Sequence, residues 1–467
     1  MWLLPRLRWR HLLILAGSIV FYAAGKPAYL LVLAAPAVID YLCALRIEAS
    51  ASKGERKRWL VFSIVSNLGL LAYFKYTNFF LAVMADITGA PAGHMDIGLP
   101  VGISFFIFKT LSYTIDVYRG QLAAERSWWR YALYVSFFPE LVAGPIVRAS
   151  VFLPQLRRSL RFSWRRTAAG AQLVLLGLTK KLVIADRLAV LADPVFADPA
   201  VFSPLTVGLG VFAYALQIYC DFSGYSDMAI GIAKVIGFDL PENFRLPYTA
   251  TSIADFWRRW HITLSSWLRD YLYIPLGGNR HGTLRTAVSI MITMFLGGLW
   301  HGASWTFVFW GVLHGVALLM HRLFHQFLPA GSKSVFAKVA SWAATFSFVT
   351  FAWIFFRAPD FATAWIIVRK FFGLAPGGLE WIYSPLFMLL PLIVGAHVLA
   401  RYAEAKTGNA RRFSLKNLLT FRRHSISGVW ILIPQPGFAG AFLLTTWLLL
   451  LLLFATTNVS PFIYFQF

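Results

Sequence analysis

Cysteine is almost missing: the 467 residues contain two, Cys43 and Cys220, both in apolar surroundings. That count and setting exclude a disulfide framework and a thiolate metal site. Acidic residues are scarce as well, 20 against 43 lysines and arginines, and charge of either sign makes up only 13% of the chain. A soluble protein carries about 25% charged residues. The sequence has no Gly-x-Ser-x-Gly elbow, P-loop, His-Glu-x-x-His pair or dinucleotide fingerprint, so the commonest hydrolase, nucleotide, zinc and hydride chemistries lack their local signatures. No internal repeat of the transporter kind is evident. No A-x-A cleavage site follows the first apolar run, which reads as a retained span and not a signal peptide.

What fills the space is apolar. Hydrophobic residues make up 58% of the chain, the mean hydropathy is +0.63, and runs of the roughly 20 residues needed to cross a bilayer recur along the sequence. The fold class expected is all-α, a polytopic integral membrane protein forming one domain over residues 1–467. The net charge of +23 is explained by cytoplasmic loops and anionic lipid headgroups, so nucleic acid is not an expected partner. Arg6, Arg8 and Arg10 place the N-terminus in the cytoplasm. Spans are expected near 11–24, 28–45, 59–84, 99–118, 168–190, 204–237, 285–300, 304–321, 339–357, 383–400 and 436–458, about 11 in all on the length criterion, with the C-terminus outside.

Two stretches break the count. Residues 131–147 are apolar but hold Pro139, Glu140, Gly144 and Pro145 and have basic residues on both flanks. A true span does not have two positive ends, so this is expected to be a re-entrant segment whose irregular backbone is covered by protein or a cavity. Residues 251–278 place Ile253, Phe256, Trp257, Trp260, Leu264, Trp267, Leu268 and Tyr271 on one stripe of a helical wheel, with Arg258, Arg259 and Arg269 opposite. That pattern predicts an amphipathic helix on the cytoplasmic side, with His261 on the edge of the stripe.

Polar residues inside apolar spans mark cavities, partners or pathways. Tyr214, Gln217, Asp221 and Tyr225 fall within about 80° of one another on a helical wheel and are candidates for the lining of a tunnel; structural satisfaction of Asp221 by tyrosine hydroxyls is the competing reading. Asp227 and Lys234, seven residues apart, are expected to pair. The most concentrated signal is Leu296–Trp305, LGGLWHGASW, in the hairpin 285–321. It sets His301 among glycines that free the backbone and between the aromatic walls Trp300 and Trp305. Metal binding by His301 and His314 is not expected, since thirteen residues put them about 140° apart on one continuous helix. A histidine base with no nucleophile beside it suits direct transfer of an activated acyl group to a hydroxyl.

Pro100–Gly120 (PVGISFFIFKTLSYTIDVYRG), Phe138–Arg148 (FPELVAGPIVR), Asp221–Gly231 (DFSGYSDMAIG), Phe256–Asn279 (FWRRWHITLSSWLRDYLYIPLGGN) and Leu296–Gly302 (LGGLWHG) resemble the membrane-bound O-acyltransferase family, and the ending Ser460–Phe467 (SPFIYFQF) resembles its alginate O-acetyltransferase branch. The resemblance implies about eleven spans around a central funnel or tunnel, a catalytic role for His301, an assisting role for His261, and supporting roles for Arg148 and Asp186. Glu140 stands where that branch often has histidine. It further implies no bound cofactor, acetyl-CoA as a cytoplasmic donor, and a periplasmic or membrane-anchored acetyltransferase partner that acts on an exported polysaccharide such as alginate. The expected setting is the bacterial inner membrane. D-alanyl transfer to teichoic acid and a non-catalytic acyl conduit are the rival readings.

Overall fold

The computed structural model describes residues 6–91, 93–158, 161–327, 334–407, 421–426, 429–434, 438–456 and 460–463, together with Trp2 and Leu4. The chain forms two compact units, Met1–Gly170 with Ala229–Pro241, and Ala171–Met228 with Glu242–Phe467. Six described helices are long and apolar enough to cross a membrane: Tyr29–Ala49, Lys53–Thr88, Pro204–Val235, Gly282–His301, Trp305–Phe324 and Val335–Arg357. The protein is therefore a multi-pass membrane protein. The other expected spans fall short of that standard. Leu7–Ala23 has 17 residues and Ile103–Tyr118 has 16, Ser384–Gly395 and Gly440–Phe454 are shorter apolar helices, and the 164–197 region carries Lys180, Lys181, Asp186, Arg187 and Asp193.

Two elements depart from the all-helical expectation or were not anticipated. Phe421–Ile426 and Val429–Pro434 pair as antiparallel strands, the first of them beginning at the end of what reads from sequence as the basic loop Arg401–His424. Phe361–Phe371 forms a helix capped by Asp360, whose carboxylate accepts from the Thr363 amide at 2.7 Å.

In the first unit, several polar groups buried between apolar helices are paired with one another, as a low dielectric favours. The Asp40 carboxylate accepts from Ser63 Oγ at 2.5 Å and from Asn67 Nδ2 at 2.9 and 3.0 Å, tying together Tyr29–Ala49 and Lys53–Leu71. The segment expected to be re-entrant is a broken helix: Trp128–Ser136 ends at Phe137, where ψ is 105°, and Phe138–Leu141 follows. Its irregular backbone is covered by protein, with Phe137, Leu141, Ala143, Ile146 and Val147 all buried. Gly144 is forced by the turn, since a Cβ there would lie 2.4 Å from Glu140 Cα. Glu140 forms a buried ion pair with Lys109, whose ammonium also donates to the Tyr134 carbonyl at 2.6 Å. Lys234 pairs with Asp239 at 3.0 Å.

In the second unit, Gly177 faces Gly224 so closely that a Cβ on Gly177 would meet the Gly224 carbonyl oxygen at 2.4 Å. The helix through Gly177 then widens into a π-turn, Thr179–Ala185, a feature common at functional sites. From this turn Lys180 reaches Asp227 at 2.6 Å, and Lys181 reaches both Asp221 at 2.7 Å and Asp186 at 2.9 Å. Asp227 and Lys234 thus take other partners, because residues two turns apart on a helix stand about 10 Å apart along its axis.

The hairpin Gly282–His301/Trp305–Phe327 is held by glycine contacts. A Cβ on Gly298 would lie 2.3 Å from the Phe307 carbonyl oxygen, one on Gly311 would lie 2.2 Å from the Met294 carbonyl oxygen, and one on Gly302 would strike the Phe307 ring. Gly298 and Gly302 therefore let the two helices approach each other; their free faces are occupied by protein.

Candidate active site

The amphipathic stretch is not one helix. Ile253–Arg259 ends at Trp260, Ile262–Leu268 begins after His261, and a π-turn, Arg269–Tyr273, follows. Between the two helices His261 adopts φ 41°, ψ 55°, a left-handed conformation unusual for a residue with a Cβ. Such a residue persists only where its surroundings impose it, and here the agent is Asn243. The Asn243 carbonyl accepts from the Ile262 amide at 2.9 Å. Its side-chain oxygen accepts from the Thr263 amide at 3.3 Å and from the Thr263 hydroxyl at 2.8 Å, and lies 3.0 Å from His261 Nδ1. Asn243 Nδ2 donates to Ser226 Oγ at 3.0 Å.

This network fixes a tautomer. The Thr263 amide can only donate, so the atom facing it is the amide oxygen of Asn243, and the nearby Nδ1 of His261 must carry the proton. The imidazole is neutral, because complete burial pushes its pKa down to about 3. In a neutral ring protonated at Nδ1, Nε2 is the acceptor. Phe222 packs edge-on against this ring at 4.7 Å and Phe244 stacks at 6.3 Å.

His301 is the last residue of Gly282–His301, and Gly302 continues in extended backbone. Its ring, 5% exposed, stands in an aromatic box of Trp300 at 5.0 Å, Trp310 at 5.2 Å and Phe356 at 5.2 Å. Trp300 also lies 6.3 Å from the His261 ring, so both histidines pack against one indole. Trp305, at the head of the next helix, is 49% exposed; the second indole against His301 is Trp310. His314 lies on the second helix of the hairpin, not on a continuation of the first, and reaches the same indole at 4.8 Å.

A cleft of ≈ 600 Å³ opens beside these rings. It is lined by Trp257, Ser265, Leu268, Thr293 and Met294 and edged by Arg269, His321 and Arg322. Leu268 approaches the His301 helix at Gly297, where a Cβ would lie 3.3 Å from Leu268 Cδ1. The Trp257 ring packs on Trp310 at 5.8 Å, and Trp310 in turn packs on His301. An apolar lining that also holds Arg269 and Arg322 suits an elongated ligand bearing anionic groups.

The other candidates divide. Asp186 and Asp221 are brought together on Lys181. That lysine donates to the Ser460 carbonyl at 2.8 Å, and the Ile463 amide donates to Asp221 at 2.8 Å. Tyr225 packs against Phe462 at 5.0 Å. The Asp221 face of its helix therefore holds the segment Ser460–Ile463. Gln217 is buried with no partner for its side-chain oxygen among the described residues. Arg148 belongs to the first unit, where its carbonyl caps Ala149–Phe152 by accepting from Val151 and Phe152.

Sequence reasoning missed Asn243, Trp310, Phe356 and Lys181. Only Lys181 had a local signal, as a second lysine beside Asp186 in an apolar stretch.

A sequence model of the membrane-bound O-acyltransferase family matches residues 40–362. The chain is 38% identical to a probable alginate O-acetylase of Azotobacter vinelandii over 98% of this chain and 95% of that protein. It is 39% identical to a peptidoglycan O-acetyltransferase of Helicobacter pylori, over 77% and 73% of the two chains. With a teichoic acid D-alanyltransferase of Bacillus subtilis it shares 26% identity, over 56% and 69%.

Proposed function

Since this chain belongs to the membrane-bound O-acyltransferase family, and so is a membrane O-acyltransferase, we propose that it transfers acetyl groups from a cytoplasmic thioester, acetyl-CoA, for O-acetylation of an exported polysaccharide. The observation that carries the mechanism is the packing of both His301 and His261 against Trp300, one at a helix end and the other at a helix break. His301 takes the proton of the acceptor hydroxyl; the hydroxyl oxygen bonds to the acetyl carbon, the carbon–sulfur bond breaks, and the proton passes on to the departing thiolate. His261, neutral and protonated at Nδ1, orients the acceptor through Nε2. The donor enters the cleft with its phosphates toward Arg269, His321 and Arg322.

Acetylation of a polysaccharide is supported by the names and coverage of the relatives at 38% and 39% identity, against 26% for the D-alanyltransferase. The setting is the inner membrane, with a cytoplasmic N-terminus, a periplasmic C-terminus, and a periplasmic or membrane-anchored acetyltransferase partner that places the group on alginate or another exported glycan. Arg148 and Asp186 support the reaction without touching the acetyl group.

Purified protein supplied with radiolabelled acetyl-CoA tests this. The expected result is transfer or hydrolysis of acetyl without a partner, lost in His301→Ala. A protein inert toward acetyl-CoA but active with a carrier-protein thioester would reassign the donor. One inert toward both would leave a conduit.

A further inference from the structure

Between the cleft and His301, three rings pack against one another. Trp257 and Trp310 are 5.8 Å apart, Trp257 and His314 are 5.2 Å apart, and Trp310 and His314 are 4.8 Å apart, measured between centroids. The indole Nε1 atoms of both tryptophans and both nitrogens of His314 are buried with no hydrogen-bond partner among the described residues. His314 is 0% and Trp310 1% exposed. Buried polar groups are normally paired, and each one left unpaired is destabilising. Simple aromatic packing here would be met more cheaply by phenylalanine. Four such atoms in one cluster indicate a polar guest.

The chemistry of the hosts restricts the guest. An indole N–H only donates, so the guest must bring acceptor oxygen. None of the three rings carries a fixed charge, and the cations that line the cleft are Arg269 and Arg322, so a neutral acceptor is favoured at the rings over a phosphate. Trp257 lines the cleft, and Trp310 packs on Trp257 and on His301, so the three rings stand between the cleft and the base.

We propose that Trp257, Trp310 and His314 form the binding site for the thioester carbonyl oxygen of the acyl donor, with the two indole N–H groups as its hydrogen-bond donors. This rests on the donor reading above. As the acceptor oxygen adds to the carbonyl carbon, negative charge develops on the carbonyl oxygen, and preorganised N–H groups hold it better than they hold the ground state. His314 packs on both indoles and contributes a third N–H; its other nitrogen suits an amide N–H of the donor's arm.

The test compares two ligands on the purified full-length protein by calorimetry: acetyl-CoA, and its unreactive thioether S-ethyl coenzyme A, which lacks only the carbonyl. The variants are Trp257→Phe, Trp310→Phe and the double, which keep the rings and delete the N–H groups; unchanged melting shows that they fold. Wild type is expected to bind acetyl-CoA at least about 5-fold more tightly than the thioether, the value of one neutral hydrogen bond. In the double variant the preference should fall below about 2-fold, with thioether affinity unchanged, and kcat should drop on the order of 100-fold, as for loss of an oxyanion donor. A preference that survives in the double variant overturns the proposal, as does equal binding of both ligands by wild type. If wild type binds neither ligand, the donor reading fails and the proposal with it.

Discussion

Asn243 offers a sharp test of the site's construction, because one side-chain oxygen holds three groups. Replacing it with leucine keeps a similar volume and removes the acceptor shared by His261 Nδ1, the Thr263 amide and the Thr263 hydroxyl. The hydroxyl can rotate elsewhere, but the two N–H groups cannot. At about 1–3 kcal/mol for each buried donor left unpaired, Asn243→Leu should lose about 2–6 kcal/mol of stability. Only the backbone bond from the Ile262 amide would then hold His261 at φ 41°, and nothing would keep Nδ1 protonated, so turnover should fall at least about 100-fold, the usual worth of a positioned acid or base.

Asn243→Asp separates fold from chemistry. Its carboxylate still accepts from all three donors, and the Ser226 hydroxyl can turn to donate in place of the lost Nδ2 bond, so melting should fall less than in Asn243→Leu. The new anion, however, favours the imidazolium and raises the His261 pKa from about 3. Because His261 acts as the neutral ring, activity should persist above the raised pKa and be lost as pH falls through it, whereas the wild-type rate stays flat across that range. The assays are detergent-solubilised thermal unfolding and acetyl transfer against pH. Melting and turnover of Asn243→Leu within about 2-fold of wild type would refute the reasoning, as would an Asn243→Asp pH profile that matches wild type.

Three further outcomes follow from the packing. Lys181→Met strands Asp186 and Asp221 and should cost about 3–5 kcal/mol by thermal unfolding; adding Asp186→Asn and Asp221→Asn should restore most of that, since an asparagine at 221 still accepts from the Ile463 amide. Gly311→Ala puts a methyl 2.2 Å from the Met294 carbonyl oxygen and should lower stability by about 1–3 kcal/mol, whereas the same change at Gly17, with open space around it, should be tolerated. Trp305→Ala, at an exposed position, should leave turnover within about 2-fold by the usual behaviour of surface substitutions, unlike substitutions at Trp310.

The features visible in the sequence were those that depend on composition and local pattern. The apolar runs, the Pro139–Pro145 break and the isolation of His301 each leave a mark within about twenty residues, the scale of one span. The helical wheel over 251–278 found the buried face but not the break in it. Neither glycine nor proline marks His261, and the hydrogen bonds that impose its conformation come from Asn243, 18 positions earlier. Trp305 and Trp310 are equally aromatic on paper; the close glycine-mediated approach of the hairpin decides which of them faces His301. The Lys180–Asp227 and Lys181–Asp221 pairs cross between helices through a π-turn that no periodicity announces. The hairpin at 421–434 was the more readable omission, since VWILIP is a β-prone run preceded by Ser427–Gly428.

The central claim is that His301 is the base. The most direct measurement is the single-turnover rate of acetyl transfer from acetyl-CoA by purified His301→Ala and His301→Gln proteins, beside their melting curves. The account predicts a loss on the order of 100- to 10,000-fold in both variants, with the melting of His301→Gln, which fills the aromatic box better than alanine, close to wild type. Transfer at the wild-type rate by a folded His301→Ala protein would contradict it.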